Sequence, residues 1–137
     1  MRIFIDTSSL FKKYVDEPGG DDLQGSFPKM SEIVVSPTTW IEMNAAIERR
    51  LRNRSLSAEQ ADWLRAEAKR DFTYFSQVLW NENLESKAVD LIQKHVLKTM
   101  DAVQLASAIL SESELFVTSD RKLYLEAKKV LRRVRYL

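Results

Sequence analysis

The chain has 137 residues, 45% of them hydrophobic and 30% charged, with a formal net charge of +1. That length supports a core without crosslinks, and the near-neutral balance confines any nucleic-acid affinity to local patches. The absence of cysteine excludes disulfides, thiolate zinc sites and cysteine nucleophiles. A single histidine excludes an imidazole pair, and three glycines cannot build a P-loop or a dinucleotide fingerprint.

In chain order, Arg2 to Asp6 is the first expected strand, ending in a carboxylate followed by Thr7, Ser8 and Ser9. A short helix over Ser8 to Val15 should stop before Pro18 and Gly19. Glu32 to Ser36 (EIVVS) reads as a second buried strand. Ser36 then offers a cap and Pro37 a first helical position, for a helix with Trp40, Met43, Ile47 and Leu51 on one stripe. Ser57 and Glu59 open another helix through Trp63, Leu64 and Phe72. Tyr74 to Trp80 is a weaker strand candidate. Leu84 to His95 is helical by pattern, with Leu84, Ala88, Leu91 and Ile92 inward. Thr99 can cap "TMDAVQLASAIL", apolar nearly all round and so expected to be a buried helix. Leu115 to Ser119 (LFVTS) is a third strong strand, followed by a helix over Arg121 to Val130 and a weak strand over Val134 to Leu137.

Strands alternating with helices predict one α/β domain over residues 1–137, a three-layer α/β/α sandwich around a mainly parallel sheet. No apolar run approaches the roughly 20 residues of a membrane helix, and Asp6 interrupts the only early apolar stretch, against a signal pattern. The expectation is a protein without a membrane partner, in a reducing, cytoplasmic setting.

In open parallel sheets, ligands collect beyond the carboxyl ends of the strands. Asp6 and Asp120 follow two of the expected strands on the same rim. Glu42 lies early in the helix after the second strand, with Ala45 and Ala46 leaving room beside it, and Asp101 starts the most apolar helix. Singly, each has an ordinary role: Asp6 and Asp120 as caps, Asp101 against a helix dipole, Glu42 in a pair with Arg49. Together they would repel, a conflict that a divalent cation relieves. A set without His or Cys suits Mg2+ or Mn2+ rather than zinc, and the matching chemistry is phosphoryl transfer.

Four blocks carry a family resemblance. "IFIDTSSLFKKY", "SPTTWIEMNAAIERR", "LKTMDAVQLASAIL" and "LFVTSDRKLYLEAKK" resemble, in order, the blocks of PIN-domain ribonucleases, at a length similar to VapC-like toxins of type II toxin–antitoxin modules. The resemblance implies that Asp6, Glu42, Asp101 and Asp120 form the acidic quartet that holds Mg2+ or Mn2+, with Asp6 and Asp101 the most direct ligands. It implies supporting roles for Thr118 and Ser8, cleavage of RNA to leave a 5′-phosphate, homodimerisation, and inhibition by a cognate antitoxin protein. One departure is Gln104-Leu105, where many relatives carry His-Leu.

RNA requires positive charge near the acids, and Lys12, Lys13, Arg49, Arg50 and Arg121 follow or accompany three of them. His95 reads as structural, and Trp40, Trp63 and Trp80 as core or interface residues. Two alternatives stand beside the nuclease: a catalytically silent PIN-like RNA- or protein-binding module, and a haloacid-dehalogenase-like phosphatase. The phosphatase chemistry wants a second Asp where Ser8 stands.

Overall fold

A computed structural model describes all 137 residues. Its centre is a five-stranded sheet: β1 (Arg2–Ile5), β2 (Glu32–Val35), β3 (Ser76–Gln77), β4 (Leu115–Thr118) and β5 (Val134–Tyr136). The strand order is β3-β2-β1-β4-β5 and every neighbouring pair is parallel. Register places Phe4 beside Val34 on one side and Phe116 on the other.

Alternation along the strands explains the two faces. Ile3 and Ile5 of β1, Val35 of β2 and Val117 of β4 join one core with Leu10, Phe11, Met43, Ile47 and Leu64. Phe4, Val34 and Phe116 point the other way, into a core with Leu84, Leu91, Leu105 and Leu123. The first face is covered by α1 (Thr7–Leu10), α2 (Gly20–Ser26), α3 (Thr39–Arg52) and α4 (Ala58–Phe72). The second is covered by α5 (Glu82–Lys94), α6 (Thr99–Leu110) and α7 (Arg121–Ala127). This is the expected three-layer sandwich. Helix α6 is buried at every position from Ala102 to Ala108, and its small residues suit a central place between sheet and α5. Phe4 and Phe116 stack across β1 and β4 with ring centroids 5.7 Å apart.

Several local expectations need correction. Ser36 does not cap α3: the cap is Thr38, and Ser36 instead forms a hydroxyl turn in which its Oγ accepts from the Thr38 N–H at 3.1 Å. Pro37 therefore precedes the helix instead of opening it. Thr99 is the first residue of α6 and Lys98 its cap. Helix α5 starts earlier than expected because Asn81 accepts from Leu84 N. Ile92 is not inward but 44% exposed, since Leu84, Ala88 and Leu91 already fill the buried stripe. The segment after Pro18 forms α2 with only Gly20 and Leu23 buried, too little periodicity to read in advance. Helix α7 ends at Ala127, and the first helix passes into a 3-10 turn at Phe11. Ser57 does cap α4, in a capping box completed by Gln60. No helix is long and apolar enough to cross a membrane.

Buried and exposed apolar positions set unequal costs for truncation. Phe116→Ala should lower unfolding free energy by about 3–5 kcal/mol, whereas Ile92→Ala should change it by about 0.5 kcal/mol or less, both read by urea denaturation.

Candidate active site

Sheet order reverses about β1, whose two neighbours, β2 and β4, leave in opposite directions. The carboxyl ends of β1 and β4 therefore flank a switch point, where α/β sheets open a crevice. Asp6 stands at one of these ends and Asp120 just past the other. Helices α3 and α6 bring Glu42 and Asp101 to the same opening. All four carboxylates line one cavity of about 480 Å³, together with Thr7, Ser8, Ser119 and the small Ala45 and Ala46.

Asp6 occupies the cap position of α1 yet makes no capping bond. Its Oδ2 accepts instead from Ser8 Oγ at 2.6 Å and Thr118 Oγ1 at 2.7 Å. These hydroxyls are themselves fixed by backbone: Ser119 N donates to Ser8 Oγ (3.0 Å) and Asp120 N to Thr118 Oγ1 (3.1 Å). The Thr-x-Asp spacing of "TSD" thus lets one threonine hold Asp6 and steer Asp120 together. Asp120 Oδ1 accepts from Leu123 N at 3.0 Å, so this acid also caps α7. Glu42 does not pair with Arg49. Its Oε1 accepts from Thr38 Oγ1 at 2.9 Å and from Gln104 Nε2 at 2.5 Å.

A common pattern emerges. In Asp6 and Asp120, protein donors hold one carboxylate oxygen and leave its twin without a donor; Glu42 is held at Oε1 by Thr38 and Gln104, with the Thr7 hydroxyl close by. No cation of the chain forms an ion pair with any of the four acids. Asp6 is buried, and desolvation pushes its carboxyl up to about 6, with the nearby Glu42 and Asp120 adding to the rise against its two hydroxyl donors. Asp101 is also pushed up to about 6, by burial and by the charges of Asp120 and Asp6. Glu42 is raised by burial, with Gln104, Thr38 and Thr7 opposing. No three of these carboxylates close on one point tightly enough to form a finished metal shell. As a donor set they offer oxygen only, with free oxygens around one opening.

Of the basic residues singled out above, Lys12, Arg49 and Arg50 line the cavity, while Lys13 and Arg121 do not. Lys13 is held by Asp71 at 2.5 Å, alongside Tyr14; Arg121 is exposed at the start of α7. Glu17 was not foreseen at the site. It lines the cavity and pairs with both Arg50 and Lys12. It lies in an irregular loop, where no periodicity marks it. Trp40 packs edge-on against Phe72, with centroids 5.2 Å apart, whereas Trp63 and Trp80 are about half exposed. His95 Nδ1 lies 3.1 Å from Glu126, linking the end of α5 to α7.

The geometry defines a parallel α/β/α protein with an acidic cavity at its switch point. The chain belongs to the PIN-domain family, whose sequence model matches residues 3–129. Among curated proteins no sequence matches it. Similar solved structures include a toxin–antitoxin complex from Klebsiella pneumoniae (19% identity, 89% of each chain covered, TM-score 0.66). They also include VapC20 of Mycobacterium tuberculosis, a sarcin–ricin loop cleaving toxin (17% identity, 97% of this chain and 98% of that one, TM-score 0.72). A third is PAE2754 of Pyrobaculum aerophilum (16% identity, 98% and 83%, TM-score 0.72). At these identities the likeness is one of fold.

The raised carboxyls fix the sign of a pH effect in the metal-free protein. Between about pH 4 and 6 Asp6 and Asp101 bind more protons in the folded state than in the unfolded one, so their contribution to stability falls as pH rises. Two pKa units at Asp6 correspond to about 3 kcal/mol at full burial; half-buried Asp101 adds less, because solvent screens it. Thermal unfolding across this range should show that decline, and Asp6→Asn should remove most of it. A flat profile in the parent protein would contradict the electrostatic picture.

Proposed function

We propose that this chain is a metal-dependent endoribonuclease, a single nuclease domain over residues 1–137 acting in the cytoplasm as the toxin of a type II toxin–antitoxin pair. The observation that carries the reading is the set of carboxylates at one cavity, three of them tethered by a single oxygen and none neutralised by an ion pair. PIN-family membership supports it, as does a fold shared with structures that include toxins and toxin–antitoxin complexes.

The donor set fits a hard divalent cation. Mg2+ and Mn2+ prefer oxygen, and Mg2+ keeps several waters while taking one or two carboxylates directly. A cavity that does not close into a complete shell suits such a hydrated ion. Asp6 and Asp101 would hold it directly, with Glu42 and Asp120 acting directly or through water. Once bound, the ion supplies an acidified water and charge neutralisation at the scissile phosphate. The protein's own part is positional. Ser8 and Thr118 keep Asp6 from turning, and Thr118 couples it to Asp120. Ala45 and Ala46 leave width for a phosphodiester. Arg49 is exposed and free of acid partners, so it is placed to contact the RNA backbone, with Arg50 and Lys12 behind it.

Two protein partners belong to the same reading. The groove of about 420 Å³ lined by Tyr14, Val15, Leu56, Trp63 and Leu64 adjoins the acidic cavity through Arg50, and offers an antitoxin an apolar seat next to the acids. Exposed apolar residues such as Val89, Ile92 and Val96 supply surface for homodimerisation.

The test is cleavage of a mixed RNA substrate in Mg2+ or Mn2+. The parent protein should cleave and stop on chelation, whereas Asp6→Asn and Asp101→Asn should fold and be inactive. Full activity in either variant or in excess chelator would contradict the mechanism; an inert parent protein would favour the silent binding module. Glu17 yields a second test. Glu17→Gln frees Arg50 and Lys12 from a surface-type pair worth about 0.2–1 kcal/mol. In an Asp101→Asn background, RNA affinity at low salt should rise roughly twofold to fivefold, read by fluorescence anisotropy.

A further inference from the structure

Gln104 is fully buried in the middle of α6, one turn beyond Asp101. Its amide nitrogen reaches two other helices at once: Glu42 Oε1 at 2.5 Å and Thr39 Oγ1 at 3.5 Å on α3, and Thr7 Oγ1 at 3.0 Å on α1, next to Asp6. Its carbonyl oxygen accepts from no protein donor, and is the only buried side-chain polar atom of the chain in that state.

That asymmetry is informative. Buried polar atoms are satisfied almost everywhere in folded proteins, so an orphan marks a position held for another purpose. Turning the amide over would not help. It would set carbonyl oxygen against Glu42 Oε1, acceptor on acceptor, and leave Thr7 and Glu42 without their donor. The amide is therefore oriented by the carboxylate it serves, and an apolar residue of similar size would pack here with no orphan at all. Thr118 provides the comparison. It holds Asp6 by Oδ2 as Gln104 holds Glu42 by Oε1, each buried donor fixing one oxygen of the carboxylate.

We propose that Gln104 is a positioning residue for the nuclease site: its buried amide clamps Glu42 by one oxygen and ties together the three segments that carry Asp6, Glu42 and Asp101. The inference rests on the nuclease reading above. Gln104 acts through Glu42, not on the substrate. Groups that orient metal-binding side chains from behind typically contribute 10- to 100-fold in affinity or activity. Removal of the amide should fall in that range while leaving the fold intact.

The experiment is a double-mutant cycle between Gln104→Met and Glu42→Gln, read by calorimetric titration with Mn2+ alone and by RNA cleavage. Methionine keeps the volume and removes both donor and orphan; Gln104→Leu serves in the same cycle if the methionine variant fails to fold. Gln104→Met should weaken Mn2+ binding and lower kcat/KM by about 10- to 100-fold, with thermal stability of the metal-free protein retained. In the Glu42→Gln background the same change should cost little further affinity, because the carboxylate it positions is gone. A Gln104→Met protein that binds and cleaves like the parent overturns the proposal, as does a loss that multiplies in full on top of Glu42→Gln. Absence of Mn2+ binding and cleavage in the parent would overturn the nuclease reading first, and this inference with it.

Discussion

The site depends on a carboxylate that the fold buries without neutralising. Asp6 ends the central strand of a parallel sheet, where backbone pairing on both sides leaves it little freedom, and its own N–H donates to Val117 O at 2.9 Å. A buried carboxylate without a cation is costly. Here two hydroxyls offset part of that cost on a single oxygen. This solution stabilises the charge without satisfying it, and the remaining oxygen stays available to whatever enters the cavity.

The same economy recurs around the rim. Backbone at α7 holds Asp120, while Thr38 and Gln104 hold Glu42, each by one oxygen. The acids come from four separate segments, so their grouping is a product of topology and not of local sequence. Reversal of strand order about β1 opens the crevice, and the small residues of α6 let that helix sit deep enough to deliver Asp101. The basic residues obey a different logic. Glu17 draws Arg50 and Lys12 into pairs at the cavity wall, leaving Arg49 as the cation without an acid partner. The cavity's field is thus negative at its floor and only locally positive at its edge, in keeping with a chain of net charge +1.

The layered fold was legible from β-branched runs and apolar stripes, because burial on both faces imposes a strong pattern on β1, β2 and β4. Local boundaries were less so. Ser36 has the chemistry of a cap but spends its hydroxyl on a turn, and Ile92 follows the helical period yet lies past the edge of the buried stripe. The four acids were visible as unusual carboxylates at strand ends and helix starts; their common cavity follows from strand order, which no single segment encodes. In the sequence Gln104 stands out only as a departure from a family pattern. Nothing in "DAVQLASA" says that its amide would reach α3 and α1, since those contacts span 62 and 97 residues of chain. Glu17, in an irregular loop, had no pattern to betray it.

Everything above turns on whether these carboxylates form one cation site. Anomalous diffraction from crystals soaked in Mn2+ tests it most directly. A shared cation site requires a manganese peak inside the cavity lined by Asp6, Glu42, Asp101 and Asp120, absent in crystals of Asp6→Asn. A fully soaked crystal with no peak there, or with manganese bound only elsewhere, would contradict it.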